Sequence, residues 1–170
     1  SCPMAQAEKF VFEKESWIRA HLADLPPTAE AMLGGTFLYQ GQLLTICPGQ
    51  GRQVRAIGAE LLVPGPEAMV GARVTAFLKL QARMRLQEAT ERYAVALGKP
   101  YGRLTLRDTT SRWGSCSTQG NINYSWRLIM APPEVLNYVA AHEVAHLAEM
   151  NHSARFWALV ERLFPNHAEQ

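Results

Sequence analysis

The sequence contains little cysteine and no long apolar run, and each shortage argues against a class of protein. Its three cysteines, Cys2, Cys47 and Cys116, are odd in number and widely spaced. This pattern argues against a disulfide framework and is typical of the reduced thiols of a cytoplasmic protein. No apolar run approaches the roughly 20 residues that span a bilayer, and no secretory signal is visible, so we expect no membrane association. The abrupt start at Ser1 leaves open whether residues precede it.

The sequence also has no large excess of positive or negative charge. The net charge is only +2, which does not by itself imply a nucleic-acid partner. Only four of the 17 cationic residues are lysines; the thirteen arginines could serve an anionic partner, but a solvated surface is the simpler explanation. The hydrophobic fraction of 48% and the charged fraction of 19% are those of a soluble globular protein. We therefore expect residues 1–170 to form one domain with a buried core.

Closely spaced glycines and prolines characterise residues 28–66. They separate short apolar runs at 36–39, 42–47, 54–57 and 60–63. Short runs between such turn signals predict antiparallel strands joined by tight turns. We interpret this part as a β-rich scaffold without chemistry of its own.

Helical periodicity marks several other segments. It predicts an amphipathic helix over 5–24 and a long helix over 67–97, whose apolar stripe includes Leu80 and Met84. The Pro132-Pro133 pair is expected to start a further helix, because proline fits the first helical position. Strand and helix patterns together predict the α+β class.

Three of the five histidines lie within residues 142–152. His142 and His146 are four residues apart, which places them on one helix face with Cβ atoms about 5–6 Å apart. Two neutral imidazoles at that spacing can share one zinc ion. Glu143 follows the first histidine, where a carboxylate can take a proton from a metal-bound water. The pattern predicts a zinc hydrolase.

A catalytic zinc usually has three protein ligands, and His152 is our candidate for the third. It can reach the metal only if the helix ends first, and Asn151 tolerates the left-handed conformation that such an end needs. Ser153 is then expected to cap a following helix. Glu149, one turn after His146, is the rival ligand, but choosing it leaves the Asn-His turn unexplained.

Alternation also predicts strands at 103–108 and 121–126, separated by a polar loop. The strand at 121–126 is our candidate for an edge on which an extended substrate pairs. The loop over 112–116 is expected to form a wall of the same cleft. Candidate substrate contacts in these two segments are Arg112, Trp113, Asn123 and Tyr124. Of these, Arg112, Trp113 and Tyr124 are also candidates for stabilising an oxyanion, although Arg112 serves equally well to pin its loop.

Four segments together resemble the YgjP-like zinc metallopeptidase family, which is related to the WLM and SprT-like proteases. They are Arg-Trp-Gly-Ser-Cys-Ser at 112–117, Trp-Arg-Leu-Ile-Met-Ala-Pro-Pro at 126–133, Tyr-Val-Ala-Ala-His-Glu at 138–143, and the stretch from Asn-His-Ser to Phe-Trp at 151–157. The resemblance covers the chain from about residue 36 onward, and the family usually continues past the point where this chain stops.

This resemblance implies a zincin-like fold, with a small antiparallel or mixed sheet, a long backing helix and an active-site helix, in which residues 67–170 form the catalytic core. It implies His142, His146 and His152 as ligands of one zinc ion and Glu143 as the general base. The expected function is hydrolysis of peptide bonds in a peptide or protein substrate. Two alternatives stay open: a protease acting on DNA-bound proteins, and a non-catalytic zinc-binding interaction module.

Overall fold

The structure is a computed structural model that describes residues 31–109 and 112–165. The helix predicted over 5–24 lies outside these ranges. Within them the strands are β1 (Thr36–Tyr39), β2 (Gln42–Gly49), β3 (Arg55–Ile57), β4 (Glu60–Pro64), β5 (Leu104–Arg107), β6 (Gly114–Cys116) and β7 (Ile122–Ser125). The α-helices are α1 (Val70–Leu97), α2 (Pro133–Ala145) and α3 (Ala154–Leu163), with 3-10 turns at Glu67–Met69 and Trp126–Met130.

The first sheet has the strand order β1-β2-β4-β3. The predicted β-rich segment is confirmed, but the expectation of purely antiparallel pairing is wrong, because β2 and β4 run parallel.

The turn between β1 and β2 contacts the segment that leads into α2. The amides of Gln40 and Gly41 donate to the carbonyl oxygens of Ile129 and Met130. Gly41 has φ of 76°, and a Cβ there would lie 2.9 Å from Pro132. Glycine therefore lets the first sheet brace the start of α2.

The long helix α1 backs both sheets and packs against α2. Its buried face advances in steps of four residues through Val70, Val74, Leu78, Ala82 and Leu86, as expected for one helix face. It ends where predicted, at Gly98, which adopts the left-handed conformation.

The apolar stripe predicted for α1 was partly wrong. Leu80 and Met84 are 58% and 56% exposed, because they lie off the row that faces the core.

The second sheet has the order β5-β7-β6, with β7 parallel to β5 and antiparallel to β6. The strand predicted at 121–126 is therefore internal, and the prediction that it is the substrate edge is wrong. The two edge strands are β5 and β6, and β6 lies in the segment predicted as a loop. A three-residue Gly-Ser-Cys strand carries none of the β-branched or aromatic residues by which strands are recognised.

A buried 3-10 turn over Trp126–Met130 connects β7 to α2. As predicted, α2 starts at Pro133, with Pro132 preceding it in an extended conformation. Its C-terminal half packs against β6 and α3. None of the helices within the described ranges combines the length and apolar composition that crossing a bilayer requires.

Candidate active site

Three histidine side chains converge at the end of α2. The ring centroids of His142, His146 and His152 are 5.0, 5.0 and 4.9 Å apart, which forms a nearly equilateral triangle. One ring nitrogen from each lies within 4.8 Å of the others. The Nε2 atoms of His142 and His152 are separated by 3.1 Å. The i, i+4 pair thus meets the third histidine as the sequence predicted.

The reversal that brings His152 back differs from the one predicted. The last helical residue of α2 is Ala145, six residues before Asn151, and His146 follows with helical dihedral angles. Hydrogen bonds from the amides of Leu147 and Ala148 to the carbonyls of residues 144 and 145 close a tight turn. Gln40 is the only non-glycine with positive φ among the described residues, so the left-handed conformation predicted for Asn151 is wrong.

The second half of the reversal is a short turn centred on His152. The Ser153 amide donates to the Asn151 carbonyl at 2.7 Å. The Ser153 hydroxyl then accepts from the Phe156 amide, so that Ser153 caps α3 as predicted. His152 therefore lies between a turn and a capped helix, which limits the freedom of its backbone.

Glu149 contributes to the cluster through its backbone. The Nδ1 atom of His146 is 3.0 Å from the carbonyl oxygen of Glu149. Because a carbonyl can only accept, Nδ1 carries the proton in this bond and the Nε2 lone pair is left for a metal. Among the residues that the structure describes, the Glu149 carboxylate is not part of the potential metal-binding group.

Two aromatic residues at the start of α3 support the imidazoles. Phe156 is fully buried; it stacks on His146 at 4.5 Å and meets His142 and His152 edge-on at 4.8 and 4.7 Å. Trp157 stacks on His152 at 5.8 Å. These contacts fix the orientation of all three imidazoles, which sequence reasoning did not predict.

The electrostatics of the cluster favour neutral imidazoles. Burial, followed by the neighbouring His146 and His152, lowers the pKa of His142 to about 3. Burial is also the main reason that the pKa of His146 is lowered. Neutral rings keep the lone pairs that bind a metal. The donor set and its spacing therefore fit a single metal ion.

The Glu143 side chain lies against β6. It is only 6% exposed, and burial raises its pKa to about 8, while Arg112 acts in the opposite direction. A Cβ built on Gly114 would lie 2.5 Å from Oε1 of Glu143. The strand therefore approaches the carboxylate so closely that only glycine fits, a feature that sequence reasoning missed.

Cys116 lies on the same face of β6 as Gly114, two residues along. Burial and the Glu143 carboxylate raise the pKa of its thiol to about 11. The thiol is therefore protonated near neutral pH, whereas the thiolate is the form that binds metal.

The four predicted substrate contacts are in different environments. Arg112 is exposed and lies close enough to lower the pKa of Glu143. Asn123 is half-buried beside Ser115 on the face of the sheet opposite the core. Trp113 is half-buried and packs against Ala131 and Val135, which holds the start of α2 to the sheet.

Tyr124 does not reach the cleft. Its side chain is 1% exposed, and its hydroxyl lies 3.0 Å from that of Thr90 on α1. Because this side chain lies on the core face of the central strand, its burial gives no support to the predicted substrate or oxyanion contact.

Comparison with known proteins assigns the chain to a family. The family model described as YgjP-like, metallopeptidase domain, matches residues 1–170. The chain belongs to this family, whose members are metallopeptidases, and the α+β, zincin-like class expected from the sequence is confirmed. A metallopeptidase of this kind uses a metal ion and acts on peptides or proteins.

Other comparisons add little. No curated protein matches. One matching solved structure is the metallopeptidase zymogen of Pyrococcus abyssi abylysin, with 26% sequence identity and a TM-score of 0.42. The match covers 49% of this chain and 83% of that one.

Proposed function

We propose that the protein is a zinc-dependent peptidase in which His142, His146 and His152 hold one zinc ion and Glu143 is the general base. The observation that carries the proposal is the histidine triangle with a buried carboxylate beside it. Tetrahedral zinc with Zn–N of 2.0–2.1 Å separates its nitrogen ligands by about 3.3 Å. The 3.1 Å between Nε2 atoms of His142 and His152 is close to this value.

A zinc ion at this position would lower the pKa of a bound water and polarise the scissile carbonyl. The Glu143 carboxylate accepts the proton of the attacking water and donates it to the departing amine. Burial favours the protonated form that donates to the amine, and Arg112 acts in the opposite direction, toward the ionised form that accepts the proton. A non-catalytic zinc module would gain nothing from a carboxyl group buried beside the ligands.

The free edge of β6 is proposed as the place where the substrate backbone binds. The Ser125 amide donates to the Trp113 carbonyl and the Ser117 amide donates to the Asn121 carbonyl, each at 2.9 Å. Antiparallel ladders alternate, so the intervening Gly114 and Cys116 direct their N–H and C=O groups away from β7. An extended peptide that pairs with these groups passes directly beside Glu143.

Metal analysis together with peptide hydrolysis tests this function. Wild-type protein is expected to retain one zinc ion and to cleave peptides. Glu143→Gln keeps the size and the polar head group, so zinc is expected to stay bound while the rate falls by about 10²–10⁴-fold. Wild-type rates in Glu143→Gln would refute the role of the base.

A matched pair of variants tests the third ligand. His152→Ala is expected to reduce zinc affinity strongly, whereas Glu149→Gln retains it, because Glu149 contributes only its backbone carbonyl. The reverse result would make Glu149 the ligand and reject His152.

A further inference from the structure

A polar cavity of about 270 Å³ lies on the outer face of the second sheet, next to the edge strand β6. Its lining includes Arg107, Arg112, Ser115 and Asn123. Strand register explains this grouping: Ser115 pairs with Asn123, and both point away from the core face that holds Ile122 and Tyr124. This outer cavity is separate from the histidine triangle, although both adjoin β6.

The outer cavity is cationic. Arg107 and Arg112 are both exposed, and within residues 31–109 and 112–165 neither guanidinium forms an ion pair. The adjacent acid, Asp108, is already paired with Arg127 at 2.9 Å. Side-chain hydroxyl and amide groups of Ser115 and Asn123 add neutral hydrogen-bonding partners. Two arginines with such neighbours suit a carboxylate, which arginine binds with two parallel hydrogen bonds.

The outer cavity lies where a side chain of a peptide bound along β6 can reach it. In an extended peptide, alternate side chains point to the same face. When such a peptide pairs with β6, the residues that point to the same face as Ser115 extend toward Arg112 and the outer cavity. The residues between them point toward Glu143 and the histidines, as Gly114 does.

We propose that the outer cavity is a subsite for an acidic side chain of the peptide substrate, so that the enzyme prefers Glu or Asp at one residue near the scissile bond. This inference rests on the proposed peptidase function and deepens it. A nucleic-acid backbone is the competing ligand for two arginines. It is disfavoured because two arginines are the cationic residues of this cavity, whereas a strand of phosphates needs an extended cationic track.

The test uses the zinc-loaded chain of residues 1–170 and a peptide series that differs at one residue, which is Glu, Gln or Lys. The substituted residue is moved one position at a time along both sides of the scissile bond. We expect Glu to raise kcat/KM over Gln by about threefold to tenfold at one position, the range of a partly desolvated ion pair. Lys at that position is expected to lower kcat/KM.

Arg107 is varied to test the subsite. Arg112 is left unchanged, because it also lowers the pKa of Glu143 and its replacement would affect the proposed general base. Arg107→Gln is expected to bring the Glu/Gln ratio toward one, and Arg107→Glu to reverse the preference toward Lys. The matched control is Arg103→Gln. Arg103 precedes the same strand and shares its outer face but does not line the cavity. It is about 13 Å from Arg107 along the strand, beyond the Debye length of about 8 Å. It is expected to keep the wild-type ratio.

Equilibrium binding separates this inference from the peptidase function. Dissociation constants of the uncleaved Glu and Gln peptides are measured with zinc-loaded Glu143→Gln protein, with and without Arg107→Gln. Tighter, Arg107-dependent binding of the Glu peptide supports the subsite even when wild-type protein cleaves nothing. Cleavage of Glu and Gln peptides at equal rates overturns the subsite and leaves the peptidase function intact. Arg107-dependent binding of a single-stranded oligonucleotide, with no Glu preference, overturns it in favour of nucleic acid.

Discussion

Replacing Gly114 by alanine is expected to displace the Glu143 carboxylate without touching the histidines. Gly114 is not in the left-handed region, so alanine meets no backbone strain there. Its Cβ would lie 2.5, 2.6 and 2.7 Å from Oε1, Cγ and Cδ of Glu143. Non-bonded carbon atoms prefer about 3.5–4.0 Å. The carboxylate or the strand therefore has to move by about 1 Å.

The size of the effect follows from this displacement. Overpacking of a tight contact typically lowers the free energy of unfolding by about 1–3 kcal/mol. A misplacement of about 1 Å in a catalytic group can reduce the rate about 100-fold. Zinc affinity is expected to stay at the wild-type value, because the contact involves Glu143 rather than the ligands.

The assay combines kcat/KM, zinc affinity and chemical denaturation of Gly114→Ala. Thr118→Ala, exposed in the turn that follows the same strand, is the control and is expected to leave the rate near that of wild type. Introducing Gly114→Ala into a Glu143→Ala background removes the clash, so its stability cost there should fall below about 0.5 kcal/mol. An equal cost in both backgrounds would refute the reasoning.

Three further predictions concern stability and metal binding. Because the folded-state pKa of Glu143 is raised from 4.5 to about 8, its stabilising contribution is complete below pH 4.5 and is lost as the pH rises toward 8. Metal-free Glu143→Gln should therefore exceed wild type in unfolding free energy by about 3 kcal/mol at pH 7 and match it near pH 4, as denaturation at both pH values would test. Phe156→Leu should weaken zinc binding by about tenfold to 100-fold in a chelator competition assay, whereas Phe37→Leu, buried in the other sheet, should reduce only stability. Thr90→Val removes the hydroxyl contact of Tyr124 and should lower the free energy of unfolding by about 1–2 kcal/mol with unchanged zinc affinity; an unchanged melting curve would contradict it.

The sequence predicted correctly those features of the site and fold that depend on residues close together along the chain. The spacing of His142 and His146 corresponds to one helical turn, and Ser153 caps the next helix through a bond three residues away. Pro133 and Gly98 mark helix ends by their own backbone preferences. Each of these features depends on neighbours within a few residues, so a single sequence contains the signal.

Features that depend on distant segments were predicted incorrectly or missed. The sequence cannot show that β5 pairs with β7, which makes β7 internal and leaves β6 at the edge. The contact of Gly114 with Glu143 joins residues 29 positions apart. The run after His146 contains good helix formers, yet the helix ends at Ala145 and a tight turn follows.

The placement of the three proposed zinc ligands on both sides of a turn has a consequence for the folding of the C-terminal region. His142 belongs to α2, whereas His152 precedes α3 after a turn. An ion bound by both acts as a cross-link that closes this turn, and its binding energy also holds α3 in place. A ligand at 1,000 times its dissociation constant adds about 4 kcal/mol to the folded state. Removing the metal is therefore expected to release α3 first, seen as faster hydrogen exchange of the amides in Ala154–Leu163 than in α1.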